Sequence, residues 1–182
     1  MEPLDLAQLE AGLDHIRQSP ADGGTVELIV RRPATDAREV LESGDLLLTD
    51  GLAGDTWNVR RSRRSPDGGP HPEMQLNIMN ARVAALLAQT PERWPLAGDQ
   101  LYIDLDLGAA NLPPGTRLAL GGAIIEVTAQ PHTGCAKFSQ RFGREALRFV
   151  NSEVGRELNL RGINAKVVRA GTIHRGDEIR KV

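Results

Sequence analysis

Cys135 is the only cysteine in the 182-residue chain, and its position indicates chemistry. It lies in QPHTGCAKFSQRFG, between an apolar run typical of a strand and a segment with helical spacing. The positive end of a helix and the nearby cations Lys137 and Arg141 favour the thiolate, which is the nucleophilic and metal-binding form of cysteine. Gly134 permits a tight turn beside it. We therefore predict a functional thiol, and the alternative is a buried structural cysteine.

His132 precedes Cys135 by three residues and could act as a base, a metal ligand or a cap. One cysteine with one histidine is a poor zinc site, because zinc takes about four ligands. The other histidines, His15, His71 and His174, are scattered, and neither HExxH nor CxxC occurs. A serine hydrolase would need a GxSxG elbow, which is also missing from the sequence. The sequence predicts neither a zinc site nor a Ser-His-Asp hydrolase.

A loop over 58–73 concentrates positive charge in an otherwise acidic protein. It reads NVRRSRRSPDGGPHPE and contains Arg60, Arg61, Arg63 and Arg64. Guanidinium groups suit phosphates and carboxylates. We predict that this loop covers the mouth of the domain near Cys135, where Arg61 and Arg63 contact a small anionic ligand. The alternative is a solvated connector.

A glycine motif, GLAGD at 51–55, follows a predicted strand. It is not the GxGxxG fingerprint and no long helix follows it, so it does not predict a dinucleotide site. A turn between strands is the simplest interpretation. Gly54 and Asp55 could still line a pocket, because loop glycines let a ligand approach the backbone.

Composition excludes several classes of function. The formal net charge is -2 and aromatic residues make up 3% of the chain, whereas nucleic-acid binding usually needs a basic excess or stacking aromatics. No apolar run approaches the roughly 20 residues that span a bilayer. The first 20 residues carry four acidic side chains and do not resemble a signal peptide. With a single cysteine, these features predict a cytoplasmic protein without nucleic-acid or membrane partners.

Helices are predicted in three places. Leucines and an isoleucine at helical spacing predict one over 4–18, so that residues 1–24 form an N-terminal helix and linker. Two more are predicted over 79–90 and 139–154. In the last, Phe142, Ala146, Phe149 and Val150 share a face that we expect to pack on the wall of the domain.

The remainder of 25–182 reads as short strands separated by turns. A strand is predicted over 25–33 and a hairpin around Gly121-Gly122. Further turns are predicted immediately before strands, at Gly44-Asp45, Gly98-Asp99, Pro114-Gly115 and Gly176-Asp177. This pattern is typical of a closed or sandwich-like β domain.

The order of these features resembles the MOSC domain, named for the molybdenum cofactor sulfurase C-terminus. The run GTRLALGGAIIEVTAQPHTGCAKFSQRFGREALRFVN, then LRGINAKVVRAGTIHRGDEIRKV, carries the resemblance, and RPATDAREV…GLAGDTW is similar to the family's opening segment. The resemblance covers about 25–182. It implies a mainly β fold, a closed β-barrel of the pyruvate-kinase-insert type with a few flanking α-helices.

The resemblance also implies a function. Cys135 corresponds to the family cysteine proposed to carry sulfur as a persulfide or to ligate molybdenum of a molybdopterin-type cofactor. The implied activities are sulfur transfer and reduction of N-hydroxylated compounds. The residues expected to contact the cofactor are His132, Thr133, Gly134, Lys137, Arg141, Gly54, Asp55, Arg61, Arg63 and His71.

Two departures from the family pattern matter. Reductase-type members carry His-Gly-Gly after the opening Gly-Asp, whereas here Gly68-Gly69 precedes His71, which weakens the reductase interpretation. A pyridoxal-phosphate sulfurase domain has no room in 182 residues, so the chain would receive sulfur from a donor protein. The alternative is a non-catalytic binding or interaction domain that retains the barrel.

Overall fold

The structure is a computed structural model that describes residues 2–62, 65 and 67–182. Its strands are short, and most of the predicted turns separate them. They are β1 (Gly24–Arg31), β2 (Glu39–Leu41), β3 (Ser43–Leu47), β4 (Gly51–Leu52), β5 (Leu76–Asn80), β6 (Leu101–Asp104), β7 (Arg117–Leu120), β8 (Ala123–Val127), β9 (Ile163–Arg169), β10 (Gly171–His174) and β11 (Glu178–Lys181).

In the described part of the chain, seven of these strands close into a barrel in the order β1-β11-β7-β8-β9-β5-β6, with β6 paired back to β1. The pairs are antiparallel except β5 and β6, which are parallel and are joined by a helical crossover. β2 extends the sheet from β1, and β10, β3 and β4 form a separate three-stranded sheet. The predicted closed β-barrel with flanking helices is confirmed.

Two apolar clusters stabilise this arrangement, because successive side chains of a strand point to opposite faces. Inside the barrel, side chains such as Ile29 and Ile78 form the inner core. Their neighbours Val30 and Met79 face outward and join a second cluster beneath the helices. The barrel wall is therefore buried on both sides wherever a helix covers it.

The helices are α1 (Leu6–Ala11), α2 (Leu13–Arg17), α3 (Ala81–Ala88), α4 (Ala136–Phe142), α5 (Arg144–Asn151) and α6 (Glu153–Glu157). Leu9 and Ile16 bring α1 and α2 into the outer cluster. The face of Phe142, Ala146, Phe149 and Val150 is buried against the same cluster, as predicted. Within the described residues, no helix is long and apolar enough to cross a membrane.

Several predicted helix boundaries were wrong. The helix over 4–18 is interrupted at Gly12, where a Cβ would lie 2.6 Å from Leu86 Cδ2. The helix over 139–154 begins earlier and is divided at Gly143, whose φ of 96° and ψ of 164° leave the helical region. The positive φ favours glycine at that break.

Two further corrections concern strands. Met79 and Asn80 belong to β5, and the predicted helix begins only after the Asn80 side chain caps the backbone amides of Arg82 and Val83. Gly44 and Asp45 lie inside β3 rather than in a turn. The hairpin at Gly121-Gly122 is confirmed by the pairing of Leu120 with Ala123.

Candidate functional site

Cys135 lies at a cleft of about 300 Å³ on the outside of the barrel. The walls come from the loop after β1, the end of the 3-10 helix Pro91–Ala97 and the beginning of α4. Five cationic side chains and one carboxylate line the cleft; they are Arg38, Arg60, Lys137, Arg141, Arg161 and Asp36. The cleft therefore combines a thiol with a large excess of positive charge, which suits an anionic ligand.

The backbone around Cys135 explains the exposure of its thiol. Cys135 is the N-cap of α4, with extended φ and ψ of -128° and 177°, and its side chain is free and exposed. The Gly134 amide donates to Asn151 Oδ1 at 3.0 Å. A Cβ at Gly134 would lie 2.6 Å from Leu147 Cδ1, so glycine lets this loop pass close to α5.

Lys137 and Arg141 stand one helical turn apart on α4 and meet at Asp36. Asp36 Oδ1 lies 3.3 Å from Lys137 Nζ and 3.1 Å from Arg141 Nη2. The hydrogen bond from Lys137 and the charges of both cations lower the pKa of Asp36. Arg141 also donates to the Leu96 carbonyl at 2.8 Å. The predicted cations are thus in the cleft, with an exposed carboxylate between them.

Arg161 forms the buried side of the cleft and is held by Asp99. Arg161 Nη1 lies 3.0 and 2.8 Å from the two Asp99 oxygens, and its Nη2 donates to the Ala97 carbonyl. Its guanidinium carbon stands 5.0 Å from the centroid of the Phe138 ring, and its buried Nε has no acceptor among the described residues.

His132 is the third member of this buried group. Its Nε2 lies 2.7 Å from Asp99 Oδ1. Burial raises the pKa of Asp99, but the charge of Arg161 and the hydrogen bonds from His132 and Arg161 outweigh it and bring the value to about 2. Burial, followed by the charge of Arg161, lowers the pKa of His132. A neutral His132 therefore donates to an ionised Asp99, and it faces grooves behind Arg161 rather than the Cys135 cleft.

Arg38 and Arg60 complete the positive wall. Arg38 donates from Nε to the Pro95 carbonyl at 3.2 Å, and burial together with Arg141 lowers its pKa. Burial and the charge of Arg32 lower the pKa of Arg60, for which no described residue accepts a side-chain hydrogen bond. Burial is the main cause at both groups, and the neighbouring cations add to it.

The other predicted contacts in the described part of the chain do not line the Cys135 cleft. Thr133 lines a groove of about 230 Å³ behind Arg161. Arg61 and His71 line a smaller pocket that shares Arg60 with the cleft. Arg63 lies outside the described residues.

Gly54 and Asp55 are occupied by structural contacts. A Cβ at Gly54 would lie 2.9 Å from Arg31 Cδ. The buried carboxylate of Asp55 accepts from Arg32 Nη2 at 2.8 Å and caps the Trp57 amide at 2.9 Å. Both positions are therefore taken up by contacts within the scaffold.

Sequence reasoning missed Arg38, Asp99 and Arg161 as members of the site. Asp99 was interpreted as a turn residue, and its burial depends on Arg161, which lies 62 positions later. One signal was available: Arg161 stands alone between Leu160 and Gly162, and a charged residue in such an apolar setting needs a buried partner.

The chain is similar in fold to several solved proteins. The YuaD protein from Bacillus subtilis superposes with a TM-score of 0.65 at 18% identity, over 86% of this chain and 93% of that one. YiiM from Escherichia coli superposes with a TM-score of 0.55 at 21% identity, over 87% of this chain and 69% of that one. YiiM from Geobacillus stearothermophilus superposes with a TM-score of 0.57 at 12% identity, over 87% of this chain and 75% of that one. At these identities the likeness shows a common fold.

The sequence itself identifies the family. No curated protein matches it. Residues 71–180, more than half of the chain, match the MOSC domain, and they include the hairpin, Cys135, α4 to α6 and the last strands of the barrel. The protein belongs to the MOSC domain family.

Proposed function

We propose that the Cys135 cleft binds a phosphate-bearing ligand of the molybdenum-cofactor type, with the Cys135 thiolate as the ligand that the chain offers to the metal. The observation that carries the proposal is the combination of an exposed thiol with five cationic side chains in one cleft. Thiolates are soft ligands that suit such a metal, and guanidinium groups bind phosphate through paired hydrogen bonds.

The residues present fit such a group. The Nε of Arg161 is a buried donor without an acceptor in the described chain, and Arg60 adds a guanidinium whose side chain has no acceptor there. A cleft of about 300 Å³ lies at the lower end of the usual range for small-molecule sites. When bound, the group would supply redox or sulfur-exchange chemistry at its metal.

Each residue has a distinct part in this proposal. Arg141 and Lys137, at the outer rim, attract and hold the anion. Arg161 contributes a positive charge at the base of the cleft. Because Asp99 already holds its guanidinium, this side chain loses no further freedom when the ligand binds. Phe138 excludes water from one face of that guanidinium. We expect the substrate to approach from the exposed side of Cys135.

The test is metal and pterin analysis of protein expressed in a molybdenum-replete host. We expect molybdenum and pterin in the wild type, loss of molybdenum in Cys135→Ser, and loss of both in Arg141→Ala. Arg148→Ala is the matched control, because Arg148 pairs with Glu145 on α5 and does not line the cleft. Absence of molybdenum and pterin from the wild type would contradict the proposal and favour a non-catalytic barrel.

Sulfur transfer is the second candidate, favoured by the exposure of Cys135. The Cys135 thiolate would attack the outer sulfur of a persulfide on a donor protein. A new S–S bond forms at Cys135, the donor S–S bond breaks, and the donor leaves as a thiolate. We place the protein in the cytoplasm, where an exposed thiol remains reduced. Incubation with a protein persulfide should add the mass of one sulfur to the wild type, and none to Cys135→Ser; an unchanged wild-type mass would exclude this candidate.

A further inference from the structure

A second, smaller pocket adjoins the Cys135 cleft on the other side of Arg60. Its volume is about 160 Å³, and Arg60 lines both cavities. The hydrogen-bonding side chains that line it are mostly donors, from Arg32, Trp57, Arg60, Arg61 and His71. No aspartate or glutamate belongs to its described lining.

Two of these donors are fixed by the scaffold. Arg32 is buried, and Asp55 accepts from its Nε and Nη2 at 2.8 Å. Its Nη1 donates to Asn77 Oδ1 and to the Gly98 carbonyl, both at 2.9 Å, so one N–H of Nη2 remains for a ligand. His71 accepts the Glu73 amide at Nδ1, at 3.2 Å, so the neutral ring carries its proton on Nε2. The remaining hydrogen-bonding capacity of His71 is therefore that of a donor.

Trp57 provides the independent observation. Its side chain lines the pocket and is 9% exposed, and its buried indole Nε1 has no hydrogen-bond acceptor in the described part of the chain. Buried donors almost always have a partner, and one without a partner needs an explanation. An anion in the pocket would supply an acceptor oxygen to this indole and to the guanidinium groups of Arg60 and Arg61, which line the same pocket.

We infer that this pocket is a binding site for a small tetrahedral oxyanion, such as phosphate or sulfate. Donors line the pocket from three places: Arg32 just after β1, Trp57 in the 3-10 helix Thr56–Val59, and the residues Arg60, Arg61 and His71 that follow it. They therefore suit an ion with acceptors in several directions better than a planar carboxylate. The volume fits a free ion or the terminal phosphate of a larger molecule. The site goes beyond the proposed function: Arg60 lines both cavities, but no other residue of this pocket's described lining belongs to the Cys135 cleft.

The indole N–H signals of ¹⁵N-labelled protein provide a test with an internal control. The chain has two tryptophans, and Trp94 lies elsewhere, with its ring 6.1 Å from that of Tyr102. Titration with inorganic phosphate should shift the Trp57 signal saturably and leave the Trp94 signal in place. Trp57→Phe assigns the two signals. Sodium chloride at equal ionic strength should not reproduce the shift.

Two variants locate the site. Arg61→Gln should weaken phosphate binding by about tenfold or more, as expected for a lost charged hydrogen bond. Cys135→Ser should bind phosphate as the wild type does, which separates this site from the proposed metal ligand. Methyl phosphate as a second titrant distinguishes a free ion from the terminal phosphate of a larger molecule. If methyl phosphate binds as tightly as inorganic phosphate, the ligand is a terminal phosphate group; if it binds more weakly, the ligand is the free ion.

The inference is overturned if the Trp57 signal does not move, if chloride moves it equally, or if Arg61→Gln leaves the titration unchanged. These results would not affect the molybdenum and pterin analysis, because that analysis is made on protein without added phosphate. Conversely, a protein that holds no molybdenum can still show the Trp57 shift.

Discussion

Asp99 and Arg161 form a buried ion pair that joins the base of the cleft to the end of the Pro91–Ala97 helix. The side chain of Asp99 is fully buried and that of Arg161 is 8% exposed. Because Asp99 also contacts His132, the pair connects the loop before Cys135 to the guanidinium beneath the cleft. Phe138, in the first turn of α4, covers the same guanidinium. The buried pair is therefore in contact with the helix that begins after Cys135 and with the loop that precedes it.

Asp99→Asn should destabilise the protein strongly. Removing one charge of a buried pair leaves the other uncompensated, which typically costs about 3–5 kcal/mol. The free energy of unfolding, measured by urea denaturation, should fall by roughly that amount. Asp36→Asn is the matched control, since Asp36 forms its ion pairs at an exposed position, and its urea midpoint should equal that of the wild type. Equal urea midpoints for the two variants would show that the buried pair does not contribute to the free energy of unfolding.

His132 should make stability depend on pH in the weakly acidic range. Its pKa in the folded protein is lowered from 6.5, so the unfolded chain binds a proton more readily. Stability is therefore complete above pH 6.5 and decreases as the pH falls from there towards the lowered value, by at most about 1.4 kcal/mol per pH unit.

Urea denaturation between pH 8 and pH 5 tests this dependence, using His132→Gln to remove the titrating group. The variant should show a flatter pH profile than the wild type below pH 6.5. His174→Gln, at an exposed position, should keep the wild-type profile. A wild-type profile that is already flat would contradict the lowered pKa of His132.

At lower pH, protonation of Asp99 towards its pKa of about 2 removes further stability.

Local patterns predicted a closed or sandwich-like β domain, because short apolar strands separated by glycine turns are typical of both. The turn at Pro114-Gly115 and the hairpin after Leu120 illustrate this. The resemblance to the MOSC domain was needed to choose the closed barrel. Helix boundaries were harder to predict. Gly12 and Gly143 interrupt helices for reasons of tertiary contact and backbone angle that the hydrophobic spacing does not contain.

The cleft was only partly predictable for a related reason. Lys137 and Arg141 lie on the same helix as the thiol, so their proximity follows from helical spacing. Arg38 and Arg161 reach the cleft from distant parts of the chain, and only the closure of the barrel brings them there. Nothing in the sequence separates one arginine of the 58–73 loop from the next. In the structure Arg60 lines both the cleft and the neighbouring pocket, whereas Arg61 lines only the pocket.

Gly162→Ala should be far more damaging than alanine at another glycine of positive φ. Gly162 has a φ of 114°, and a Cβ there would lie 2.2 Å from the Ile78 carbonyl oxygen of β5 and 3.0 Å from His132 Cδ2. Gly176 is the matched control, with a φ of 86° and no atom within 4 Å of the added Cβ. Backbone strain alone costs about 1–3 kcal/mol. Thermal unfolding should show a larger loss for Gly162→Ala, and equal losses would indicate that the clash is relieved without cost.

Asp36 should limit the anion affinity of the cleft, because its carboxylate already contacts Lys137 and Arg141. Asp36 has a φ of 59°, which asparagine also adopts readily, so Asp36→Asn removes the charge without disturbing the backbone. We expect Cys135 to react with anionic iodoacetate about two- to fivefold faster in Asp36→Asn than in the wild type, the effect of removing one nearby negative charge.

Neutral iodoacetamide is the control for this measurement, because it reports the reactivity of the thiol without attraction to the cations. Its rate should change little, so the ratio of the two rates isolates the electrostatic effect. Cys135 is the only cysteine, and both rates therefore report on this site alone. Added salt should bring the ratio in the variant towards the wild-type value, since a Debye length of about 8 Å at 0.15 M screens exposed charges. A ratio that is unaffected by the substitution would mean that Asp36 does not compete with anions for Lys137 and Arg141.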